Sequence, residues 1–273
     1  MIGASLNVGD LKITLLQDGF FQTPSDDLQH QGGAQKRAAT LAKWDNPVIR
    51  IPVNCFLLQR GSKAMLVDTG AGTALGDEYG QIRADLDNIG ITPDMISEVY
   101  LTHLHGDHAL GLFAGETLYF PKATVYASAV ELTYFTNNDI RAKLPVAAHG
   151  AFDTASKLTA LLGDRLVPTQ PGEFRPGISL LPLPGHTPGH SGFTINNAER
   201  SVLIWGDTVH LPSLQAIDPE VGIIFDTDGR LAAQTRRAIL ADAAANGTIV
   251  AGGHIDGFQK VTPNGDGYAL TAI

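Results

Sequence analysis

The chain has 273 residues, 44% of them apolar, enough for one large buried core, and no apolar run approaches the roughly eighteen residues that a membrane span needs. Nineteen Lys and Arg against 28 Asp and Glu give a formal net charge of −9 with no basic cluster, which disfavours nucleic acid as a partner. A single cysteine, Cys55, excludes an internal disulfide framework and a multi-cysteine zinc site, so any metal must be held by His and carboxylates.

The opening MIGASLNVGDLKI lacks a basic stretch followed by an apolar one, so the chain reads as cytoplasmic, without a membrane partner. Runs at 11–16 (LKITLL), 51–58 (IPVNCFLL) and 64–68 (AMLVD) are rich in β-branched residues and read as strands. Residues 19–47 lack clean periodicity apart from a short helix around 34–43, and read as a long ordered loop or arm. Loops of that length usually carry a function, so the arm is expected to cover the active site or to build a homodimer. Its Phe20, Phe21 and Trp44, together with Phe113, are candidate linings for an apolar substrate pocket.

Ile82, Leu86 and Ile89 at helical spacing predict a helix over 80–89 that Gly90 stops. A strand at 97–102 then delivers the chain into THLHGDHALG, followed by a short helix at 108–113, a strand at 123–128 and helices near 129–136 and 152–162. In the second half a strand at 178–183 leads into PGHTPGH, and hairpin strands at 192–196 and 201–205 lead into GDTVH. A helix from about 229 to 245, with Asp226 or Asp228 as N-cap and Gly247 as stop, precedes a strand at 248–252 and then His254. No composition break marks a linker, so residues 1–273 read as a single domain built from two sheet-plus-helix halves.

Of nine histidines, three fall in HLHGDH and two in PGHTPGH. Neutral imidazole and carboxylate are suitable donors for a divalent ion where thiolates are missing. On a strand running past its sheet, His103 and His105 point to the same side and can grip one ion. Asp107 and His108, beyond Gly106, face elsewhere and suit a second ion nearby. Each ion still lacks ligands, and His186, Asp207 and His254 lie in short Gly-containing turns at strand ends. If His186 completes the first site, His254 the second, and Asp207 gives one oxygen to each, both ions reach four or five ligands.

The ordered series HLHGDH, His186, Asp207 and His254 resembles the metallo-β-lactamase fold superfamily, from LVDTG at 66–70 to His254. The resemblance implies an α/β fold, a four-layer αβ/βα sandwich with a dinuclear metal site at the sheet edge. It assigns His103, His105 and His186 to one ion, Asp107, His108 and His254 to the other, and Asp207 to both. The stretch WGDTVHLPSLQAIDPEVGIIFDTD, the helix AAQTRRAIL and the long arm resemble the branch that contains methyl parathion hydrolase and related lactonases.

The implied activity is hydrolysis of small esters by two divalent ions, most simply Zn, with Mn, Fe or Co also suited to N/O donors. Two such ions acidify a shared water and polarise the substrate oxygen, so no amino-acid nucleophile is required. A lactone is the favoured substrate, with organophosphate triesters or aryl esters as side substrates. A glyoxalase II-like thioesterase, a β-lactamase and a non-catalytic metal- or ligand-binding protein are the alternatives.

Asp207 holds the ion pair together and Asp107 is a candidate proton acceptor. Lactonases of the superfamily often carry a tyrosine where this chain has His210, which is therefore either a catalytic hydrogen-bond donor or a support for Asp207. Asp68 is expected to hold the outer ring nitrogen of a ligand histidine, and His190 to stabilise its turn. His30, His149 and the Arg236–Arg237 pair are expected to face solvent, and Cys55 to pack as a small apolar residue.

Overall fold

The structure is a computed structural model and describes residues 2–273. The first half runs β1 (Ile2–Val8), β2 (Leu11–Pro24), β3 (Leu28–His30), α1 (Ala34–Trp44), β4 (Val48–Arg60), β5 (Lys63–Val67), α2 (Gln81–Asn88), β6 (Ile96–Leu101) and α3 (Gly106–Ala109). It continues with β7 (Phe113–Ala114), β8 (Thr117–Leu118), β9 (Thr124–Ser128), α4 (Ala129–Phe135), α5 (Asn138–Arg141), α6 (Gly150–Leu162) and β10 (Leu166–Thr169). The second half adds β11 (Gly172–Arg175), β12 (Ile178–Pro182), β13 (Ser191–Asn196), β14 (Ser201–Ile204) and α7 (Pro212–Gln215). It closes with β15 (Val221–Ile223), α8 (Gly229–Asn246), β16 (Ile249–Ala251), β17 (Gln259–Asn264) and β18 (Gly267–Ala272).

Two seven-stranded sheets form, in the orders β1-β2-β4-β5-β6-β9-β10 and β11-β12-β13-β14-β16-β17-β18. Ile13, Phe56, Tyr100, Phe193 and Ile204 fill the space between them. Leu66, Val99 and Val125 on the outer face of the first sheet pack with Leu86, Leu132 and Leu158 of α2, α4 and α6. Leu203 and Val250 on the outer face of the second sheet pack with Ile239 and Leu240 of α8. The layers are therefore helix, sheet, sheet, helix. A strand buried on both faces reads as a nearly continuous apolar run, as IPVNCFLL does in the central strand β4.

The middle strands β5, β6 and β9 run parallel, as do β14 and β16. Their C-terminal ends consequently open on one edge, where the chain turns at Asp68, His103, Asp207 and His254.

Residues 19–47 are not a loop. β2 and β4 stay paired from Lys12↔Gln59 to Pro24↔Val48, so the arm begins as a two-stranded ribbon, with a register shift between Gln17 and Gly19 that interrupts the period-two pattern. β3 then pairs with β15, and α1 lies beside it, so the arm docks on the segment after Asp207 of its own chain. His30 and Arg236 are corrected by the same docking. The His30 ring is 4% exposed and pairs with Asp218 at 3.1 Å, fastening β3 to the turn before β15. His149 is half-buried, its ring hydrogen-bonded to the carbonyls of Arg141 and Leu144.

Arg236 is 1% exposed. Its Nε donates to the Thr208 carbonyl and its Nη1 to those of Pro219 and Val221, each at 2.8 Å, with Nη2 3.6 Å from Asp226 Oδ2. It sits on the buried face of α8 with Ala232, Ala233, Ile239, Leu240 and Ala243, where an apolar residue is the usual occupant. Only a guanidinium, with five donors in a fixed fork, can serve so many carbonyls at once. Arg236→Leu is therefore expected to cost about 3–5 kcal/mol in denaturant unfolding. Arg237, whose side chain is 53% exposed and which pairs with Glu220, should change stability by less than about 0.5 kcal/mol when made Leu.

Candidate metal centre

The segment after β6 leaves the sheet extended, so alternation continues: Leu104 goes fully buried into the helix-side core while His103 and His105 face the opening. Their rings lie 4.6 Å apart, and His186, from the turn after β12, stands 4.9 Å from His103 and 4.7 Å from His105. These three form one group whose potential donor atoms lie within 4.8 Å of one another. Asp107, His108 and His254 form a second such group. Asp207 stands between the two. Its Oδ2 is 3.3 Å from His186 Nε2 and 3.1 Å from His254 Nε2, while Oδ1 is 3.2 Å from His108 Nε2. The seven residues selected on sequence therefore converge on one spot.

Outer partners fix how the rings point. His108 Nδ1 donates to Asp68 at 2.9 Å, His186 Nδ1 to Asp226 at 2.9 Å and His254 Nδ1 to the Pro52 carbonyl at 2.7 Å. Thr102 Oγ1 donates to Asp68 Oδ2 at 2.8 Å and so is left to accept from His103 Nδ1 at 3.1 Å. With Nδ1 occupied, each of the four rings turns Nε2 inward as a lone-pair donor. His105 turns Nδ1 inward, 3.0 Å from His186 Nε2.

Asp68 adopts the left-handed backbone at φ 57°, unusual outside glycine, and uses both oxygens on Thr102 and His108. His190 donates from Nδ1 to the Leu183 carbonyl and accepts the Asp207 N–H at Nε2. Both its nitrogens are thus engaged, and it fixes the Asp207 backbone instead of offering a donor to an ion. Glycine makes the approach possible at Gly253, where a Cβ would fall 2.6 Å from Asp207 Oδ1 and 2.7 Å from His108 Cε1.

The fit to divalent cations rests on atoms left over. His103 Nε2, His108 Nε2 and Asp207 Oδ1 are buried without a hydrogen-bond partner among the described residues. Such groups are rare because each costs about 1–3 kcal/mol. All three belong to the donor set, and N/O donors in this number suit a divalent ion. Burial drives His103 well below its ordinary pKa and His105 to about 3, so both are neutral, as metal ligation requires. At His108 and His186 burial acts the same way, but neighbouring carboxylates overcome it, raising His108 well above the ordinary value and His186 to about 9. Without cations, then, protons on these imidazoles balance the carboxylates; divalent ions would take over that role.

His210 also reaches the centre. Its Nε2 is 3.3 Å from Asp207 Oδ2, its ring stacks on that of His254 at 5.1 Å, and its Nδ1 has no hydrogen-bond partner among the described residues. Burial lowers its pKa to about 4, so it is neutral near pH 7. Asp107, with its side chain 16% exposed, is the most open of the carboxylates here.

The pocket residues divide. Phe113 is corrected: it is buried in the helix-side core with Lys157 over its ring. The Phe20 ring is capped by the Arg50 guanidinium at 3.4 Å, and Trp44 packs on the small core of Leu28, Ile49 and Val221 under the arm. Phe21 meets Phe225 edge-on at 5.4 Å. Sequence reasoning missed Phe225 and Ile224, 40% and 56% exposed, which precede Asp226, and Leu75, 48% exposed, whose Cδ1 lies beside Gly106. It also missed Asp226 as the partner of His186; the N-cap of α8 is Asp228, whose side chain accepts from the Arg230 and Leu231 N–H groups.

The Metallo-beta-lactamase superfamily matches residues 48–254. Among curated proteins, the N-acyl homoserine lactonase AiiB of Agrobacterium fabrum (strain C58 / ATCC 33970) is 29% identical over 171 residues, 54% of this chain and 59% of its own length. The N-acyl homoserine lactonase AiiA of Bacillus thuringiensis subsp. kurstaki is 28% identical over 182 residues, 58% of this chain and 64% of its own. The chain thus matches less than two thirds of the length of either relative. Among solved structures, the hydrolase AbOPH in the β-lactamase superfamily aligns with a TM-score of 0.88 at 27% identity, covering 100% of this chain and 97% of that one. AidC, a dizinc quorum-quenching lactonase, aligns with a TM-score of 0.86 at 21% identity over 100% and 98%, a likeness of fold. With residues 48–254 enclosing every member of the centre, the chain belongs to the metallo-β-lactamase superfamily.

Proposed function

We propose that the protein is a dinuclear metal-dependent hydrolase of small, uncharged esters, with lactones carrying an apolar acyl chain as its principal substrates. The observation that carries this reading is the convergence of His103, His105 and His186, of Asp107, His108 and His254, and of Asp207 between them, with His103 Nε2, His108 Nε2 and Asp207 Oδ1 left without a hydrogen-bond partner among the described residues. The lactonase relatives and the exposed apolar side chains beside the centre, Phe225, Ile224 and Leu75, support the substrate class.

Two divalent ions, zinc in the simplest reading, held by the two groups, would supply Lewis-acid polarisation of the substrate oxygen and lower the pKa of water. The chain does the rest. Asp68, Thr102, Asp226 and Pro52 hold the imidazoles in one tautomer, so no reorganisation is needed when charge develops. Asp207 spans both groups, and Asp107, the most open of the carboxylates, would accept the proton that the attacking water loses. His210 donates a hydrogen bond to the oxygen that gains negative charge.

The direct test is turnover by metal-loaded protein of N-acyl homoserine lactones, aryl esters, phosphotriesters, thioesters and β-lactams. Lactones should be hydrolysed with the highest kcat/KM, and aryl esters or phosphotriesters more slowly. Preference for a thioester or a β-lactam would overturn the substrate class, and no hydrolysis of any would leave a binding protein. His210→Ala should lower kcat about 10²–10³-fold with both ions retained and KM little changed, as befits a contact made in the transition state. Loss of metal in that variant would instead make His210 a support for Asp207.

A further inference from the structure

Glu131, in the first turn of α4, is fully buried and has no Lys or Arg beside it among the described residues. A carboxylate in that position is costly unless its oxygens are fully used. Here three donors use them. Oε1 accepts the Leu104 N–H at 3.0 Å, and Oε2 accepts the Thr187 hydroxyl at 2.7 Å and the Gly189 N–H at 2.9 Å. Burial pushes its pKa up to about 7 while these donors pull the other way. Backbone N–H groups cannot accept a proton, so the ionised form is the one this geometry satisfies.

The identity of the donors is what matters. Leu104 stands between His103 and His105, while Thr187 follows His186 and Gly189 lies in the same turn, two residues further on. One carboxylate therefore ties together the two chain segments that carry the whole of the first group, His105 and His186 being 81 residues apart. The contact is rigid as well as polar: a Cβ on Gly189 would fall 2.1 Å from the Glu131 backbone nitrogen. The second group has no contact with Glu131 of this kind: His108 is held through Asp68, which also takes the Thr102 hydroxyl beside His103, and His254 through the Pro52 carbonyl.

We propose that Glu131 is the positioning residue of the His103–His105–His186 group, setting the separation of its two segments so that the three ring nitrogens converge on one ion. This rests on the two-ion reading above. It distinguishes the two ions: loss of Glu131 should loosen the first and spare the second, whereas a residue that only stabilises the fold would affect both alike.

The test is cobalt(II) titration of the apoprotein, followed by the ligand-field absorption bands and by competition with a chelator, for the unaltered protein and for Glu131→Gln. Glutamine keeps one acceptor oxygen but turns an NH2 group toward donors, so one binding step should weaken about 10–100-fold while the other moves by less than about twofold. The weakened step should be the one whose bands are also lost in His105→Ala. Thr187→Val, which removes only the hydroxyl donor, should weaken the same step by a smaller factor, and it decides the matter if Glu131→Gln does not fold. Equal weakening of both steps, or a lowered apoprotein melting temperature with neither step changed, overturns the proposal. An unaltered protein that takes up fewer than two ions overturns the two-ion reading and the proposal together; two ions with no asymmetry in the variants overturns the proposal alone.

Discussion

Three inward-facing atoms of the centre, His103 Nε2, His108 Nε2 and Asp207 Oδ1, are buried without a hydrogen-bond partner among the described residues, and the surrounding structure is arranged to tolerate that. At about 1–3 kcal/mol each, such groups are a serious burden on a fold whose total stability is about 5–15 kcal/mol. The penalty is confined to those atoms. Every outer nitrogen of the four Nε2-directed rings is hydrogen-bonded, to Thr102, Asp68, Asp226 or Pro52, so only the inward atoms are left for a ligand to satisfy. Binding of divalent cations would then offset the penalty, and metal content and stability would be linked.

Parallel strands bring the centre together with little intervening chain. Because β5, β6 and β9 run the same way, as do β14 and β16, their ends deliver Asp68, His103, Asp207 and His254 to one edge without long loops. What the strands cannot do is hold the intervening turns at a fixed distance. Buried polar groups from the helices hold them instead. Glu131 of α4 ties the HLH segment to the His186 turn, and Arg236 of α8 ties Thr208, Val221 and Asp226 into one block. The arm of residues 19–47 adds a third brace by pairing β3 with β15, which follows the His210 turn and α7.

How much of this the sequence discloses depends on how local each signal is. HLHGDH places four donors within six residues after an apolar strand, and no surface loop needs that density. His186, Asp207 and His254 become legible only as a set in order at strand ends. Asp226 and Glu131 stay hidden because their partners lie 40 and 56 residues away and nothing local distinguishes them from a helix cap or an exposed acid. Arg236 does leave a trace, since it falls in phase with Ala232, Ile239 and Ala243 on the buried face of α8, where a charge signals an internal partner. The ribbon of β2 and β4 escapes periodicity because of the irregularity near Gly19, and Phe113 misleads because its nearness to the histidines in sequence does not reveal that its ring belongs to the helix-side core.

The central claim is that Asp207 stands between two cation sites built from two different groups of histidines. Anomalous X-ray diffraction from crystals grown with zinc or manganese tests it most directly. Two peaks about 3.5–4 Å apart, one against His103, His105 and His186, the other against Asp107, His108 and His254, are the predicted result. A single peak, or peaks that leave either group of histidines without an ion, would contradict the account.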